Sequence, residues 1–375
     1  MANIFNYVSW VKNFDFEQEP FNPVDNVVFS QLSFFPFDAI IPGPEENLRV
    51  SLGEMADYVQ RWKPIFEYGR ENCFTYKNDL VLLKALGSSK RYKDCELCGY
   101  VNVVDANREF QFSAISIVTS KNSSYIAYRG TDSTLVGWKE NFKMCYIEAV
   151  PSQLRAVSYI ETMAQIINGT FWLGGHSKGG NLAVYAAANC SKEVQQRITA
   201  VYSNDGPGFH KKVIEREGFA AIRDRIQTFV PESSVVGMLL EQVNGYTVIK
   251  SSGTGLGQHM LYSWEVTRDN LIYVGKRSSR SLIMDKSLRE WIGNLDIAQR
   301  EKFFEALYDI LCASQAKTVL EIRGSRFRAA RKMLKSLDNI DDSTRKLVRK
   351  TLAMLFSTIR YNTNILLEKW FIFKK

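Results

Sequence analysis

The spacing of hydrophobic residues predicts helices at the start of the chain and strands after them. Residues 25–40 and a second stretch near Met55–Glu67 have the spacing of amphipathic helices, and Asp25 is the expected N-cap of the first. Between Glu96 and Tyr128 the pattern changes to short runs of Val, Ile, Phe and Tyr. These runs predict a strand, a turn and two further strands.

Helical and strand-like segments alternate in the middle of the chain. The predicted elements are a helix after Pro151, a strand at Thr170–Gly174, a small-residue helix at Gly179–Asn189, and strands at Ile198–Ser203, Ile226–Val230 and Tyr246–Lys250. Such alternation implies crossover connections, and therefore an α/β fold with a largely parallel sheet. Beyond about residue 284 the spacing is helical throughout. We therefore predict an α/β domain over residues 1–275 and a helical region over 276–375 that packs on it or is appended to it.

The composition is that of a globular protein, with 45% hydrophobic and 23% charged residues among 375. No apolar run is long enough for a membrane span, and Asn3, Asn6 and Lys12 interrupt the apolar residues where a signal peptide would need them. The six cysteines are scattered, which favours reduced thiols. These features predict a cytoplasmic protein.

The net charge of +8 is concentrated in the last hundred residues. Residues 276–375 contain 22 Lys and Arg against 11 Asp and Glu, and the rest of the chain contains 26 against 29. Basic amphipathic helices can lie on an anionic membrane, so a peripheral membrane contact is one prediction. The alternative is that their apolar faces pack on the neighbouring domain and leave the charges in water. Nucleic-acid binding is disfavoured because no recognition module is present.

The strongest chemical signal is the sequence Gly175-His176-Ser177-Lys178-Gly179, which lies between a predicted strand and a predicted helix. A G-x-S-x-G motif in this position forms a sharp turn that exposes a nucleophilic serine. The helix N-terminus behind Ser177 stabilises negative charge, and the backbone N–H of Lys178 is a candidate oxyanion donor. A glycine-rich turn with an incidental serine is the simpler alternative.

The chain has three histidines from which to choose a base for Ser177. His176 is adjacent to the serine and is expected to serve in packing or in support of the site. His259 lies in a glycine-rich loop after a late strand, and we predict it as the base in preference to His210.

The orienting acid has two candidates. Asp205 follows the strand after the serine strand, and the order Ser177, Asp205, His259 is that of α/β-hydrolase triads. Glu232 follows the next strand and is the competitor. For the second oxyanion donor we predict Thr131, in Tyr128-Arg129-Gly130-Thr131-Asp132.

These motifs together resemble the class 3 lipases of the α/β-hydrolase superfamily. The fuller set, from Asp25 to Gln258-His259, more closely resembles a bacterial lipase-like family known only as a domain of unknown function, over about residues 20–310. The resemblance implies that Ser177 is the nucleophile and Thr131 an oxyanion donor. The sequence departs from the class 3 pattern at the acid, because the residue here that best matches the class 3 aspartate is Ser234. The predicted acid therefore stays Asp205.

The sequence predicts a serine hydrolase that cleaves carboxylic esters, with a lipid or acyl ester as the substrate. A thioesterase or peptidase could use the same residues. The alternative from a different functional class is a protein that is not an enzyme. It would be an inactive hydrolase-fold scaffold that binds an anionic membrane or a protein partner through its basic helices. No metal or cofactor is predicted, because Cys95-Glu96-Leu97-Cys98 lacks a second ligand pair and the glycine-rich loop at 253–257 lacks a following helix.

The segment between Gly206 and Arg225 mixes apolar and charged residues directly after the proposed acid. Two interpretations are open. It forms either a mobile cap over an apolar acyl-binding groove or an ordinary surface helix.

Overall fold

The fold is described from a computed structural model. The structure describes residues 1–38, 40–46, 48–61, 74–336, 340–354 and 357, with the backbone alone at 256, 280, 323, 324 and 326. Some residues that the sequence analysis covers lie outside these ranges, namely Cys73 among the six cysteines, the end of the predicted helix at Met55–Glu67, and the end of the predicted helical region, Trp370–Lys375.

A single eight-stranded sheet organises the chain, and the order of its strands follows the order of the sequence. The strands are β1 (Val50–Ser51), β2 (Glu96–Asp105), β3 (Phe110–Ser120), β4 (Ser123–Tyr128), β5 (Thr170–His176), β6 (Ile198–Asn204), β7 (Ile226–Pro231) and β8 (Thr247–Ile249). Strands β1 to β4 pair antiparallel, and β4 to β8 are parallel. The strands predicted between Glu96 and Lys250 are all present.

Helices cover both faces of the sheet and continue beyond it. In chain order they are α1 (Ile4–Val11), α2 (Pro23–Leu32), α3 (Leu52–Arg61), α4 (Tyr76–Gly87), α5 (Leu135–Lys143), α6 (Pro151–Ile166), α7 (Lys178–Asn189), α8 (Lys192–Gln196), α9 (Lys211–Ile214), α10 (Glu217–Ile222), α11 (Ser279–Gly293), α12 (Ile297–Cys312), α13 (Val319–Gly324) and α14 (Arg326–Ser336). Residues 342–354 are also helical. None of the helices within the described ranges has the length and apolar character needed to cross a bilayer.

Alternate residues of the strands supply two separate cores. In β4, Tyr125 and Ala127 join the core formed with α1 and α2, whereas Ile126 and Tyr128 join the core formed with α6 and α7. This is the period-2 alternation of a sheet buried on both sides. A mainly parallel sheet between helical layers, with a serine turn after β5, is an α/β-hydrolase fold, as predicted.

The C-terminal helices pack against α5 rather than standing apart. Trp291, Phe303 and Phe304 form a buried cluster with Cys145, which follows α5. Of the basic side chains of α14 that the structure describes, Arg328, Arg331 and Lys335 are exposed and Lys332 is half-buried, which fits the alternative of a solvated face. The division at residue 275 and the membrane contact both stay predictions.

The helix predicted over residues 25–40 is shorter and begins earlier. Helix α2 spans Pro23–Leu32, and its N-cap is Asn22, not Asp25. The side chain of Asn22 accepts the N–H of Val24 and of Asp25. The chain leaves the helix before Phe35-Pro36, where a proline disfavours helical backbone in the residue preceding it.

Asp25 instead forms a buried ion pair with Arg91. Arg91 donates to the two carboxylate oxygens at 2.9 and 2.6 Å, and Tyr92 donates its hydroxyl at 2.6 Å. Both charged side chains are fully buried. The pair therefore joins the start of α2 to the chain between α4 and β2.

Asp25→Ala is expected to destabilise the fold by about 3–5 kcal/mol, because the Arg91 guanidinium would be left buried without its partner. The measurement is the free energy of unfolding in urea, with Asp94→Ala at an exposed position as the control. A loss no larger than that of the control would contradict this role for the ion pair.

Candidate active site

Ser177 occupies a strained turn between β5 and α7. Its backbone has φ 57° and ψ −127°, an arrangement that non-glycine residues rarely adopt. The turn also requires glycine at its contact with β4, because a Cβ added to Gly179 would lie 2.0 Å from the carbonyl oxygen of Tyr128. The structure thus places Ser177 where the motif predicts a nucleophile.

The structure brings Asp205 and His259 together. The Nδ1 atom of His259 is 2.6 Å from Oδ2 of Asp205. The other carboxylate oxygen of Asp205 accepts the Ser234 hydroxyl at 2.5 Å and the Gly237 N–H at 3.2 Å. Only 1% of the Asp205 side chain is exposed, against 21% of His259. This carboxylate is therefore fully engaged, and it fixes the orientation of the imidazole.

The residue that connects His259 to the serine turn is His176. The Nε2 atom of His176 is 2.6 Å from the carbonyl oxygen of His259, and the two ring centroids are 4.3 Å apart. Burial, and then the neighbouring His259, hold the pKa of His176 well below its usual value. A neutral His176 can donate from Nε2 to the carbonyl, so it supports the backbone that carries His259.

Ser177 Oγ and His259 are not joined by a hydrogen bond in this structure. Among the described residues, Ser177 Oγ has no hydrogen-bond partner, so the hydrogen-bonded series ends at His259. Such bonds are often long before a substrate binds. His259 keeps its Nε2 atom available for that contact, because Nδ1 is held by Asp205.

The competing residues are placed elsewhere. His210 Nε2 is 3.0 Å from the carbonyl oxygen of Met144, and burial lowers its pKa. Glu232 is half-buried, and its carboxylate has no hydrogen-bond partner in the described part of the chain. Ser234, the nearest match to the class 3 acid, contributes a hydroxyl to Asp205. The structure therefore joins neither His210 nor Glu232 to the candidate triad.

Residues 129–135, called the oxyanion loop because they contain the candidate donor Thr131, run close beside the serine. A Cβ added to Gly130 would lie 2.5 Å from the carbonyl oxygen of His176 and 3.4 Å from Cβ of Ser177, so glycine is required for this approach. The hydroxyl of Thr131 donates to Asn141 at 2.9 Å. The backbone N–H of Thr131 and that of Lys178 have no acceptor among the described residues.

A family model described as Mbeg1-like matches residues 86–309, which is more than half of the chain. The chain belongs to the Mbeg1-like family. The matched residues include Ser177, Asp205, His259 and both candidate oxyanion donors. No curated protein matches this Mbeg1-like chain.

Two solved lipase structures resemble the Mbeg1-like chain at low identity. The crystal structure of M37 lipase is 15% identical and covers 56% of this chain and 68% of its own, with a TM-score of 0.36. A fungal lipase–inhibitor complex, described as a model for interfacial activation, is 13% identical and covers 46% of this chain and 70% of its own, with a TM-score of 0.33. Similarity this low indicates nothing about the substrate. The bacterial origin of the family stays a prediction.

The Lys178 side chain has a structural role that its sequence position did not indicate. Its Nζ atom is fully buried and donates to Glu140 at 2.9 Å and to the carbonyl and side-chain oxygens of Gln111 at 2.7 Å each. Glu140 also accepts the N–H of Ser152. The buried charge thus links the serine helix to α5, α6 and β3.

The sequence also did not predict a polar network that lies beneath the Ser177 turn. Asn204, which directly precedes Asp205, donates to Gly175, to Ser30 and to Asn26 at 3.2, 2.9 and 3.0 Å. Tyr125 extends this network to the same two α2 residues. The only signal in the sequence was the presence of polar residues on the buried side of α2.

The segment after Asp205 packs on α7 rather than forming a separate cover. Val213, Phe219 and Ile222 are fully buried in the core that includes α7, and a Cβ on Gly218 would lie 1.8 Å from the carbonyl of Ala188. This packing supports the interpretation as an ordinary surface helix. In the part of the chain that the structure describes, no cluster of His, Cys, Asp and Glu could hold a metal ion.

Proposed function

We propose that this Mbeg1-like protein is a serine hydrolase of carboxylic esters. The observation that carries the proposal is the 2.6 Å contact between Asp205 and His259 beside the strained Ser177 turn. A serine, an imidazole and a buried carboxylate in this order are the working parts of a Ser-His-Asp hydrolase.

In the proposed reaction Ser177 Oγ attacks the acyl carbon while Nε2 of His259 takes the hydroxyl proton. Asp205 stabilises the resulting imidazolium, and the N–H groups of Thr131 and Lys178 donate to the oxyanion. His259 then protonates the departing alcohol, which leaves an acyl group on Ser177. Water, activated by the same histidine, releases the acid and restores the serine.

An aromatic ring beside the oxyanion loop supports an ester with an apolar group. Phe34 is half-buried, its ring lies 5.9 Å from that of His176, and its Cζ would be 3.1 Å from a Cβ on Gly130. A lipid or other acyl ester is therefore the proposed substrate. Cytoplasmic location and a peripheral membrane contact remain predictions that accompany this proposal.

The test is covalent labelling of the intact protein by a fluorophosphonate, with the modified residue located by mass spectrometry. We expect a single modification at Ser177, and turnover of esters in a panel that also contains thioesters and peptides. Turnover of the thioesters or peptides alone would change the substrate class. A protein that is neither labelled nor active, yet binds anionic vesicles, would instead be the non-catalytic scaffold.

A further inference from the structure

The C-terminal helical region contacts two loops that hold or contain candidate catalytic groups. One loop is the oxyanion loop, and the other is the acid loop, residues 232–237, which contains Ser234 and Gly237 and holds the carboxylate of Asp205. Both contacts come from residues beyond 276, which are far from either loop in the sequence.

At the oxyanion loop the contact is a short antiparallel bridge. The N–H of Val319 donates to the carbonyl of Ser133 at 2.8 Å, and the N–H of Leu135 donates to the carbonyl of Lys317 at 3.0 Å. Thr134 and Thr318 are the paired residues at its centre. The bridge therefore fixes the chain two residues beyond Thr131.

Bonds within the oxyanion loop connect the bridge to the residues on either side of Thr131. Asp132 accepts the N–H and the hydroxyl of Thr134 at 2.9 and 2.5 Å, and it pairs with the buried Arg129 at 3.3 Å. Helix α5, which follows the loop, stacks Phe142 on Phe304 of α12 with ring centroids 5.3 Å apart. The C-terminal helices thus restrain both the loop and the helix that continues it.

At the acid loop the contact is a serine hydroxyl. Ser281, at the start of α11, donates to the carbonyl of Ser234 at 2.7 Å. The hydroxyl of the same Ser234 donates to Asp205 at 2.5 Å. The N–H of Ser278 adds a bond to the carbonyl of Glu232 at 2.8 Å. Ser281 is therefore two hydrogen bonds away from the carboxylate that orients His259.

We propose that the C-terminal helical region is part of the catalytic unit, in which Val319 positions the oxyanion loop and Ser281 positions the acid. This inference rests on the proposed hydrolase function and assigns a role to a region outside the triad. Both are positioning residues, because they act through the loops and touch no reacting atom.

Val319→Pro tests the first contact by removing a single N–H. Val319 is the first residue of α13, a position that suits proline, and Thr318 before it is already extended, with φ −132° and ψ 154°. We expect kcat for a chromogenic ester to fall about 10- to 100-fold, as a small displacement of an oxyanion donor can cause. KM should change little, and the rate of fluorophosphonate labelling should fall with kcat.

Two matched controls isolate that N–H. Val319→Ala shortens the side chain and keeps the hydrogen bond. Ile297→Pro places proline at the same position of α12, where the N–H has no acceptor among the described residues and the side chain is 65% exposed. Both should keep the wild-type kcat, and all three variants should have similar melting temperatures. Equal kcat in Val319→Pro and Ile297→Pro would overturn the role of the bridge.

Ser281→Ala tests the second contact. We expect kcat to fall about threefold to tenfold, and its loss should multiply with that of Val319→Pro because the two contacts act on separate loops. An unchanged kcat would overturn the assignment at the acid loop. Failure of the proposed function is a different result, because the wild-type protein itself would then be neither labelled nor active.

Discussion

Ser177→Ala is expected to lower kcat for an ester by about 10⁶ and to abolish fluorophosphonate labelling, because no other group can form the acyl-enzyme. Alanine keeps the Cβ that the turn accommodates at φ 57°. The lost hydroxyl has no hydrogen-bond partner among the described residues, so its removal leaves no donor or acceptor unpaired. The variant should therefore unfold at the wild-type temperature while its activity is lost.

The control for this change is Ser158→Ala, which removes an exposed hydroxyl from α6. Initial rates and probe labelling are compared for the two variants and the wild type. Labelling that survives in Ser177→Ala would show that the nucleophile is a different residue, and the assignment of the whole site would then fail.

Asp205→Asn is expected to lower kcat by about 10⁴, the effect of removing an orienting carboxylate in a comparable triad. The amide has one oxygen where the carboxylate has two. It must face either His259 or the donors Ser234 and Gly237, so one of these contacts is lost or the imidazole takes the wrong tautomer. Asparagine tolerates the φ of 52° at this position, which should preserve the fold.

Glu232→Gln is the matched control because its carboxylate is the competing candidate. We expect its kcat to stay close to that of the wild type, with melting temperatures recorded for both variants. If Glu232→Gln lost most of the activity while Asp205→Asn kept it, the acid would belong to the loop after β7.

Local patterns in the sequence were sufficient to predict the sheet and the serine turn. The strands between Glu96 and Lys250 follow from short runs of apolar residues, and the turn at Ser177 follows from its glycines. The order of Ser177, Asp205 and His259 along the chain predicted a pair of residues that the structure brings within 2.6 Å. These inferences succeeded because each depends on spacing within a segment or on the edge of the sheet where a strand ends.

What the sequence did not reveal depends on contacts between distant segments. Asp25 is a residue type that commonly caps helices, yet its carboxylate accepts hydrogen bonds from Arg91, which lies 66 positions away. The bridge between Thr134 and Thr318 likewise has no local signature, because it consists of backbone hydrogen bonds that any sequence can form. The packing of residues 207–222 on α7 could not be predicted either, since their amphipathic pattern fits a cap and a surface helix equally well.

The agreement between strand order and chain order has a consequence for synthesis on the ribosome. Each strand from β2 to β8 pairs with the strand made immediately before it, so the sheet can grow from one side as the chain emerges. The bridge to the oxyanion loop needs Val319, which is made about 70 residues after β8 is complete. A nascent chain can therefore hold its finished sheet and serine turn before the proposed catalytic unit is assembled, and the proposed hydrolysis would begin only after Val319 has emerged from the ribosome.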